Sequence, residues 1–339
     1  GGLNATAINK LKRIFQSPGP IHEPQGEHPD TFRLARALRA AGFMAGDLVH
    51  NTFSYHFTPG AWMLEGGAHA LGCCVFPAGV GQTELQAQTI ALLKPNAYTG
   101  TPSFLKIILE KGDELGLDCS SIKKALVSGE ALPPSLREWF KGRGIAIQSC
   151  YATADVGLIA YEAPQVAGMI IDEEVILEIV EPNGSKPMPI GEVGEVVVTI
   201  FDPDYPLIRF GTGDLSAIDP DSVSQATACG WTNCRIKGWL GRADQTTKVK
   251  GMFVHPGQIG EIARRHPEIK KIRMVVSGNV GADVMTLHCE INEKASDQLS
   301  GAIAQSARDI TKLRAEVAFA ATGSLPEDGK FIEDARTYS

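Results

Sequence analysis

The sequence is organised around the stretch Tyr205-Pro-Leu-Ile-Arg-Phe-Gly-Thr-Gly-Asp-Leu-Ser216, and a polar stretch follows it at Gly241-Arg-Ala-Asp-Gln-Thr-Thr-Lys-Val-Lys-Gly251. An apolar run that ends in Arg-Phe-Gly-Thr-Gly-Asp predicts a buried strand with a carboxylate at its exposed end, where glycines let a ligand approach the backbone. Asp214 is then placed to accept two hydrogen bonds from the vicinal hydroxyls of a diol such as a ribose. A solvated aspartate in a turn after the strand is the alternative.

Length, charge and cysteine content restrict the class of protein. The chain has 339 residues, 43% of them hydrophobic and 21% charged, which allows a substantial core and two or three domains. The net charge of -7 argues against a nucleic-acid or anionic-membrane surface, because phosphates and acidic lipids repel a net-negative protein. No apolar run approaches the roughly 20 residues of a membrane span, and the 7 scattered cysteines form no disulfide framework. We therefore expect a cytoplasmic protein that acts on small molecules, with a homodimer left open.

Short apolar runs alternate with helical patterns in the first half of the chain. Helices are expected over 29–43, 61–71, 85–93, 102–115 and 133–141, and strands over 48–53, 73–76, 97–99, 122–127 and 145–150. Such repeated units indicate a largely parallel sheet covered by helices, with ligands bound beyond the carboxyl ends of its strands. Strands with Pro/Gly turns follow from about 169 and predict a β-rich subdomain, and the pattern after 253 predicts a compact α+β unit.

The segment at the end of the first of these strands, Asn51-Thr-Phe-Ser-Tyr-His-Phe-Thr-Pro-Gly60, sets aromatic residues beside proline and glycine. Tyr55 and Phe57 are expected to wall a pocket for an aromatic acid, and Gly60 leaves room for it. Aromatic side chains that only pack the loop onto the domain are the alternative. His56 is expected to be structural.

Three further segments carry residue types suited to nucleotide chemistry. They are Ser128-Gly-Glu-Ala-Leu-Pro133, Tyr151-Ala-Thr-Ala-Asp155 and Gly323-Ser-Leu-Pro-Glu-Asp-Gly-Lys-Phe-Ile332. The first lies between a predicted strand and a predicted helix, which exposes backbone amides at a helix N-terminus. Lys330 is held on a turn, and taken alone it is an ordinary surface lysine.

Together with the opening stretch, these motifs resemble the core motifs of the adenylate-forming (AMP-binding) superfamily, and Pro206-Leu-Ile-Arg-Phe-Gly-Thr-Gly-Asp214 looks most like its phenylacetate-CoA ligase branch. The resemblance implies an α/β fold with a large adenylate-binding domain over 1–243 and a small, mobile α+β lid domain over 244–339. The large domain divides into a mostly parallel sheet part (1–165) and a β-rich subdomain (166–243). The implied activity is ATP-dependent conversion of a carboxylic acid, such as phenylacetate, through an acyl-adenylate to a CoA thioester.

The resemblance also assigns roles to single residues. Lys330 matches the adenylation lysine of the family, and Asp244 matches the hinge about which the small domain rotates. The other implied contacts are Ser128, Gly129 and Glu130 beside the adenine, Tyr151, Ala152 and Thr153 against adenine and α-phosphate, Asp155 on Mg²⁺, Asp214 on the ribose, Arg242 on ribose or phosphate, Gly251 towards CoA, and Tyr55, Phe57 and Gly60 around the acid.

The chain departs from the family's motifs at two places. Ser17-Pro-Gly-Pro-Ile-His-Glu-Pro-Gln-Gly26 stands at the position of the phosphate loop and is predicted to be a loop, but it lacks the Thr-Thr-Gly center and the lysine that follows it. Ala154 replaces a hydroxyl residue that meets the α-phosphate in relatives. Family members carry a further N-terminal segment, so a truncated N-terminus is expected. Cys229 and Cys234, with four residues between them and no nearby histidine, fall short of a zinc site.

Two alternatives to an acid–CoA ligase remain open. One is an adenylating enzyme whose acceptor is an amine or a carrier-protein thiol. The other is a catalytically impaired homologue that only binds a nucleotide or an aryl acid, which the altered phosphate loop and Ala154 motivate.

Overall fold

A computed structural model describes residues 3–17, 21–181, 184–224, 231–243, 247–250, 252–254, 256–278, 282–291, 295–328 and 330–336. The chain divides into two compact units, Gly1–Gly241 and Arg242–Ser339.

The described residues form helices and strands that alternate through the first half of the chain. The helices are α1 (Leu34–Ala40), α2 (Gly60–Ala70), α3 (Thr83–Leu93), α4 (Pro102–Glu114), α5 (Pro134–Gly142), α6 (Asp221–Ser224), α7 (Pro256–Arg265) and α8 (Asp297–Thr311). The strands are β1 (Arg13–Ser17), β2 (Ile21–Gln25), β3 (Leu48–Asn51), β4 (Cys74–Pro77), β5 (Ala97–Gly100), β6 (Lys124–Val127), β7 (Ala146–Thr153), β8 (Gly157–Tyr161), β9 (Met169–Ile171), β10 (Val175–Val180), β11 (Gly194–Ile200), β12 (Phe210–Ser216), β13 (Arg235–Ile236), β14 (Gly241–Arg242), β15 (Thr247–Val249), β16 (Met252–Val254), β17 (Ile269–Ser277), β18 (Val284–Ile291), β19 (Glu316–Ala320) and β20 (Ile332–Asp334).

The first unit is built on an eight-stranded sheet in the order β13-β9-β8-β7-β6-β5-β3-β4. The strands from β4 to β7 pair in parallel, whereas β7, β8, β9 and β13 pair antiparallel. The parallel strands are short and apolar, and β5 is buried at all its positions, as expected for strands covered by helices on both faces. The α/β prediction is therefore confirmed, with a sheet that is mixed because antiparallel strands extend it beyond β7.

The helix expected over 29–43 is shorter than its hydrophobic pattern. It begins at Leu34, where the carboxylate of Asp30 accepts the backbone N–H groups of Leu34 and Ala35 at 2.9 Å each. Arg33, immediately before the helix, has a left-handed backbone with φ 62°. Asp30 thus satisfies amides that a longer helix would bond internally, and the residues before Arg33 are excluded from the helix.

The strand that carries Asp214 differs from its prediction. The apolar run before Arg209 lies outside the strand and leaves Ile208 79% exposed, while β12 begins at Phe210 and continues past Asp214 to Ser216. Asp214 consequently lies inside the strand and is buried, so its expected place at an exposed strand end was wrong. The sheet β10-β11-β12-β14 surrounds β12 and pairs it antiparallel with β11. Pairing with β11, a contact distant in sequence, decides which residues of this stretch become strand.

The loop predicted over Ser17–Gly26 is a β-hairpin where the structure describes it. β1 pairs antiparallel with β2 from Arg13↔Gln25 to Ser17↔Ile21, and residues 18–20 lie outside the described part of the chain. These two strands form a sheet of their own, in which Pro24 is tolerated because each strand has a free edge. The proline and glycine content of residues 17–26 predicted a loop. Composition alone does not show that part of this segment pairs with the preceding residues, Arg13–Ser17, to form a hairpin.

The second unit is a four-stranded sheet in the order β19-β18-β17-β20 with two helices, α7 and α8. β17 and β18 pair antiparallel, and the outer strands join them in parallel. Its core contains residues of both helices and of the sheet, including Ile262, Leu287 and Ile303. This is the α+β pattern expected after 253. Among the helices of the described residues, none has the length and apolar character needed to cross a bilayer.

Candidate functional site

Asp214 lies at the centre of a hydrogen-bonded group in the first unit. Its Oδ2 accepts a hydrogen bond of 2.8 Å from the hydroxyl of Tyr151, and its Oδ1 accepts one of 2.9 Å from Nε1 of Trp239. The Tyr151 hydroxyl also lies 3.2 Å from Oγ1 of Thr212. These two donors hold the carboxylate of Asp214 in a defined orientation. Trp239 had no role in the sequence prediction, because its contact with Asp214 depends on the fold.

The segment Tyr151–Asp155 forms the end of β7 and the turn into β8. Oγ1 of Thr153 accepts the backbone N–H of Val156 at 3.2 Å, so this hydroxyl helps to close the turn. Ala152 precedes it on β7, half-buried. Asp155 lies half-buried in the turn, and burial raises the pKa of its carboxyl above the ordinary value. The turn thus holds a poorly solvated carboxylate at a fixed place, which favours a bound cation there.

Glu23 is a second buried carboxylate near Asp155, and sequence reasoning missed it. Glu23 is fully buried on β2, and the hydroxyl of Ser17 hydrogen-bonds its Oε1. Within the described structure, its Oε2 has no hydrogen-bond partner. Burial raises the pKa of Glu23, and the carboxylate of Asp155 raises it further. The pKa of Tyr205 is raised to about 12, first by burial and then by the charges of Asp155 and Glu23.

The segment after β6 leads directly into the N-terminus of α5. Pro133 is the N-cap residue and Pro134 is the first helical residue, and because neither has an N–H group, this helix start offers fewer amide donors than expected. Ser128 is buried, and its hydroxyl donates to the carbonyl of Cys150 at 2.8 Å. Gly129 has φ 81°, a backbone that favours glycine. Glu130 accepts the hydroxyl of Ser103. The segment is thus an ordered loop, and its place beside the adenine stays a prediction.

A cavity of about 640 Å³ opens at the carboxyl ends of β3 and β4. It is lined by residues 54–56 after β3, by Trp62 and Glu65 of α2, and by residues 77–80 after β4. The hydroxyl of Tyr55 accepts from Nδ2 of Asn51 at 2.9 Å and donates to Oε2 of Glu65 at 2.6 Å. The rings of Tyr55 and Trp62 meet edge to face with centroids 5.2 Å apart. Strand ends of a parallel sheet are where ligands bind, and this volume suits a small molecule.

Two residues expected around the acid do not line this cavity. Phe57 is 62% exposed with φ 62°, and its ring contacts His56 edge to face. Gly60 begins α2, and a Cβ placed there would make an ordinary contact with Phe53 at 3.5 Å. The loop therefore turns Tyr55 inward and Phe57 outward. Trp62 and Glu65 line the cavity together with Tyr55, and their three-residue spacing on one helix face was the available signal.

The remaining site residues lie at the start of, or within, the second unit. Lys330 is exposed, and its backbone N–H donates to Oδ1 of Asp328 at 3.0 Å. The backbone of Arg242 belongs to β14, and its side chain lies outside the described structure. Asp244 and Gly251 also lie outside the described residues.

Of the two cysteines considered for zinc, the structure describes Cys234. Cys234 is an exposed free thiol, and Cys229 lies outside the described residues. The part of the chain that the structure describes holds no group of three or more His, Cys, Asp or Glu side chains able to bind a metal ion by themselves. A cation at Asp155 would therefore need ligand oxygens in addition to protein ones, as magnesium at phosphate-binding sites commonly does.

The family assignment follows from a match that covers half of the chain. Residues 28–199, which include the cavity and the Tyr151 segment, match the model of the family described as AMP-binding enzyme. The chain belongs to the AMP-binding enzyme family. The AMP-binding match ends before β12, so the position of Asp214 rests on the structure and on the motif around it.

Curated relatives and solved structures agree with membership of the AMP-binding family. The chain is 28% identical over 338 residues to a phenylacetate-coenzyme A ligase of Thermus thermophilus, covering 94% of this chain and 75% of the relative. It is 30% identical over 273 residues to the phenylacetate-coenzyme A ligase of Escherichia coli K12, covering 76% of this chain and 61% of the relative. A solved 2-hydroxyisobutyryl-CoA ligase superposes with a TM-score of 0.83 at 22% identity, covering 98% of this chain and 76% of that one, a likeness of fold.

Proposed function

We propose that this chain is an AMP-forming acid–CoA ligase. It activates a carboxylic acid with ATP to an acyl-adenylate, releases pyrophosphate, and transfers the acyl group to CoA with release of AMP. The observation that carries the proposal is the buried Asp214 carboxylate, held by Tyr151 and Trp239 in a chain that matches the AMP-binding family. Acid-dependent exchange of pyrophosphate into ATP tests the first step, and CoA-dependent release of AMP tests the second.

Asp214 and Tyr151 are the proposed nucleotide contacts. Two vicinal ribose hydroxyls donate to the carboxylate of Asp214, which the bonds from Tyr151 and Trp239 hold in one orientation. The ring of Tyr151 packs against the adenine. Because the protein donors are already in place, the carboxylate loses little side-chain freedom when the ribose binds. The segment from Ser128 to Glu130 borders the other edge of the base.

Lys330 is the proposed catalytic residue of adenylate formation. Attack of a carboxylate on ATP brings two anions together, so positive charge is required where the new bond forms. At an effective dielectric of about 20, unit charges ~4 Å apart interact by roughly 4 kcal/mol, which changes a rate by orders of magnitude. Lys330 is exposed in the second unit, and rotation about Asp244 brings it to the nucleotide and later withdraws it. Arg242 binds ribose or phosphate, and the region of Gly251 faces CoA.

Asp155, with Glu23 beside it, is the proposed holder of Mg²⁺. Both are carboxylates with restricted solvation, and Oε2 of Glu23 has no partner among the described residues, so the oxygen chemistry fits a hard cation. When bound, the ion neutralises charge on the phosphates. For binding of the ion, Asp155 supplies a carboxylate held in its turn, and Glu23 supplies a second carboxylate.

A binder without turnover is the second candidate function. The specific observation in its favour is the hairpin of β1 and β2, which stands where relatives have a glycine-rich phosphate loop. A hairpin with a buried glutamate supplies fewer amide donors to pyrophosphate than such a loop. Binding of AMP or an aryl acid without any pyrophosphate exchange distinguishes this candidate from the ligase. A hydroxylamine or carrier-thiol acceptor assay separates the ligase from an enzyme with a different acyl acceptor.

A further inference from the structure

Glu65 places a carboxylate in the wall of the cavity at the ends of β3 and β4. Its side chain is 21% exposed, and its Oε2 accepts the 2.6 Å hydrogen bond from the hydroxyl of Tyr55. Its Oε1 lies 3.8 Å from Nε2 of His69, which is beyond hydrogen-bond distance. One carboxylate oxygen is thus engaged by Tyr55, and the carboxylate retains acceptor capacity in the wall of the cavity.

Asn51 determines which atoms donate and which accept in the hydrogen bonds around Tyr55. Nδ2 of Asn51 is a donor only, so the Tyr55 hydroxyl accepts from it at 2.9 Å and gives its own hydrogen to Glu65. Burial and the neighbouring Glu65 raise the pKa of Tyr55, which keeps the phenol protonated as this donor. The cavity therefore offers an acceptor, Glu65, at this wall, and Tyr55 has no second hydrogen to donate.

Aromatic side chains form part of the cavity wall beside Glu65. Tyr55 and Trp62 both line the cavity and meet edge to face at an interplanar angle of 82°, so the wall beside the Glu65 carboxylate is aromatic. The guanidinium of Arg13 lies 4.2 Å from the centroid of the Trp62 ring and donates to Gln25 at 3.1 Å. Arg13 does not line the cavity, so the charge that borders it is that of Glu65.

We propose that this cavity selects an aryl acid that carries a hydroxyl or amino group on its ring, with Glu65 accepting the hydrogen bond from that group. This inference rests on the proposed function and refines its substrate class. An unsubstituted ring, such as that of phenylacetate, would remove water from the Glu65 carboxylate and return no hydrogen bond. Buried polar groups left unpaired in this way are what make sites reject analogues that lack a donor.

The test compares phenylacetate with its hydroxyphenyl and aminophenyl analogues in acid-dependent pyrophosphate exchange. We expect kcat/KM for the best donor-bearing acid to exceed that for phenylacetate by at least about tenfold in the wild type. Glu65→Leu should remove or invert this preference, and Glu65→Gln, which keeps an acceptor oxygen, should retain part of it. Glu110→Leu is the matched control, because Glu110 also pairs at i,i+4 on a helix, to Lys106 at 2.9 Å, and lies away from the cavity.

The outcomes separate this inference from the proposed function. Exchange with phenylacetate equal to or better than with every donor-bearing acid overturns the inference and leaves the ligase intact. Absence of exchange with all acids contradicts the ligase, and calorimetric titration of the same acids then decides the inference by itself. Tighter binding of a donor-bearing acid that is lost in Glu65→Leu supports it, whereas equal or absent binding overturns it.

Discussion

The hydroxyl of Tyr151 donates a 2.8 Å hydrogen bond to Oδ2 of Asp214, across 63 residues of sequence. The two residues come from different sheets, Tyr151 from the end of β7 and Asp214 from β12. The bond therefore couples the motif that is expected to hold the base to the carboxylate that is expected to hold the ribose. Packing between these sheets helps to position the two side chains, since Tyr151 belongs to the same apolar cluster as Val196 and Val198 of β11.

Removing the carboxylate of Asp214 is expected to weaken AMP binding. Asp214→Ala loses two charge-assisted hydrogen bonds to the ribose and should raise the Kd for AMP by about 10- to 100-fold. Tyr151→Phe keeps the ring but removes one donor to the carboxylate, which Trp239 still holds, so a smaller increase of several fold is expected. Isothermal titration calorimetry measures both. Asp219→Asn, which alters a partly buried aspartate paired with Arg235 at 2.9 Å, serves as the control. Unchanged affinity in Asp214→Ala would contradict the ribose assignment.

Lys330→Ala is expected to separate the two half-reactions. Acyl-adenylate formation should fall by about 10²-fold or more, because a cation that stabilises developing charge is lost. Thioester formation from supplied acyl-adenylate and CoA should remain near the wild-type rate. Rapid-quench assays of each step provide the measurement, with Lys270→Ala, an exposed lysine of the same unit, as control. Equal loss of both steps would refute this division of labour.

His50 is expected to destabilise the first unit in acid. It is fully buried, Nε2 lies 2.9 Å from Oε1 of Gln86, and burial lowers the pKa of the imidazole below its ordinary value of 6.5. The unfolded chain binds a proton near pH 6.5 and the folded chain does not, so the stability present above that pH is lost as the pH falls. Between pH 7 and pH 5 this amounts to at most about 2 kcal/mol.

Urea unfolding at pH 5, 6 and 7 measures this effect. His50→Gln should flatten the dependence of the unfolding free energy on pH, whatever its stability at pH 7. His22→Gln, a substitution of an exposed histidine, should leave the wild-type slope unchanged. A slope that is the same in all three proteins would mean that His50 is not the group responsible.

Gly67 is expected to tolerate no side chain. A Cβ at this position of α2 would lie 2.7 Å from the backbone nitrogen of Ala35 and 2.8 Å from the carbonyl carbon of Leu34, so one helix would have to move. Gly67→Ala should lower the unfolding free energy by about 1–3 kcal/mol. Gly142→Ala, in a helix where a Cβ meets nothing within 4 Å, should instead raise it by about 0.5–1 kcal/mol. Thermal unfolding of both variants checks the pair, and destabilisation of equal size would argue against the steric explanation.

Much of the fold was predictable because its signals are local. The helix expected over 102–115 is observed as Pro102–Glu114, where Thr101 accepts the backbone N–H of Phe104 and a proline stands in the first turn. α8 likewise begins after a capping residue, Ser296, whose hydroxyl accepts the backbone N–H of Leu299. Apolar runs between such helices could only be strands of a covered sheet. Each of these predictions uses residues within about one turn of each other.

The site was predicted only in part, because its missing members depend on distant contacts. Tyr55 reaches the cavity as expected, but Phe57 turns to solvent, and Glu65 enters the wall because α2 packs beside the loop. Glu23 becomes a buried carboxylate only because β2 pairs with β1 and packs into the unit. Composition assigned its segment to a surface loop, and the burial of one side of a hairpin is not visible in composition.

By itself the sequence indicated the family through the resemblance of its motifs. It also predicted the alternation of strands and helices, since periodicity and turn chemistry are properties of neighbouring residues. Only the tertiary structure decided that Asp214 is buried between Tyr151 and Trp239, and that Glu65 borders the cavity. The physical reason is that burial and hydrogen-bond partners arise when segments far apart in sequence pack together, and that packing is a property of the whole fold.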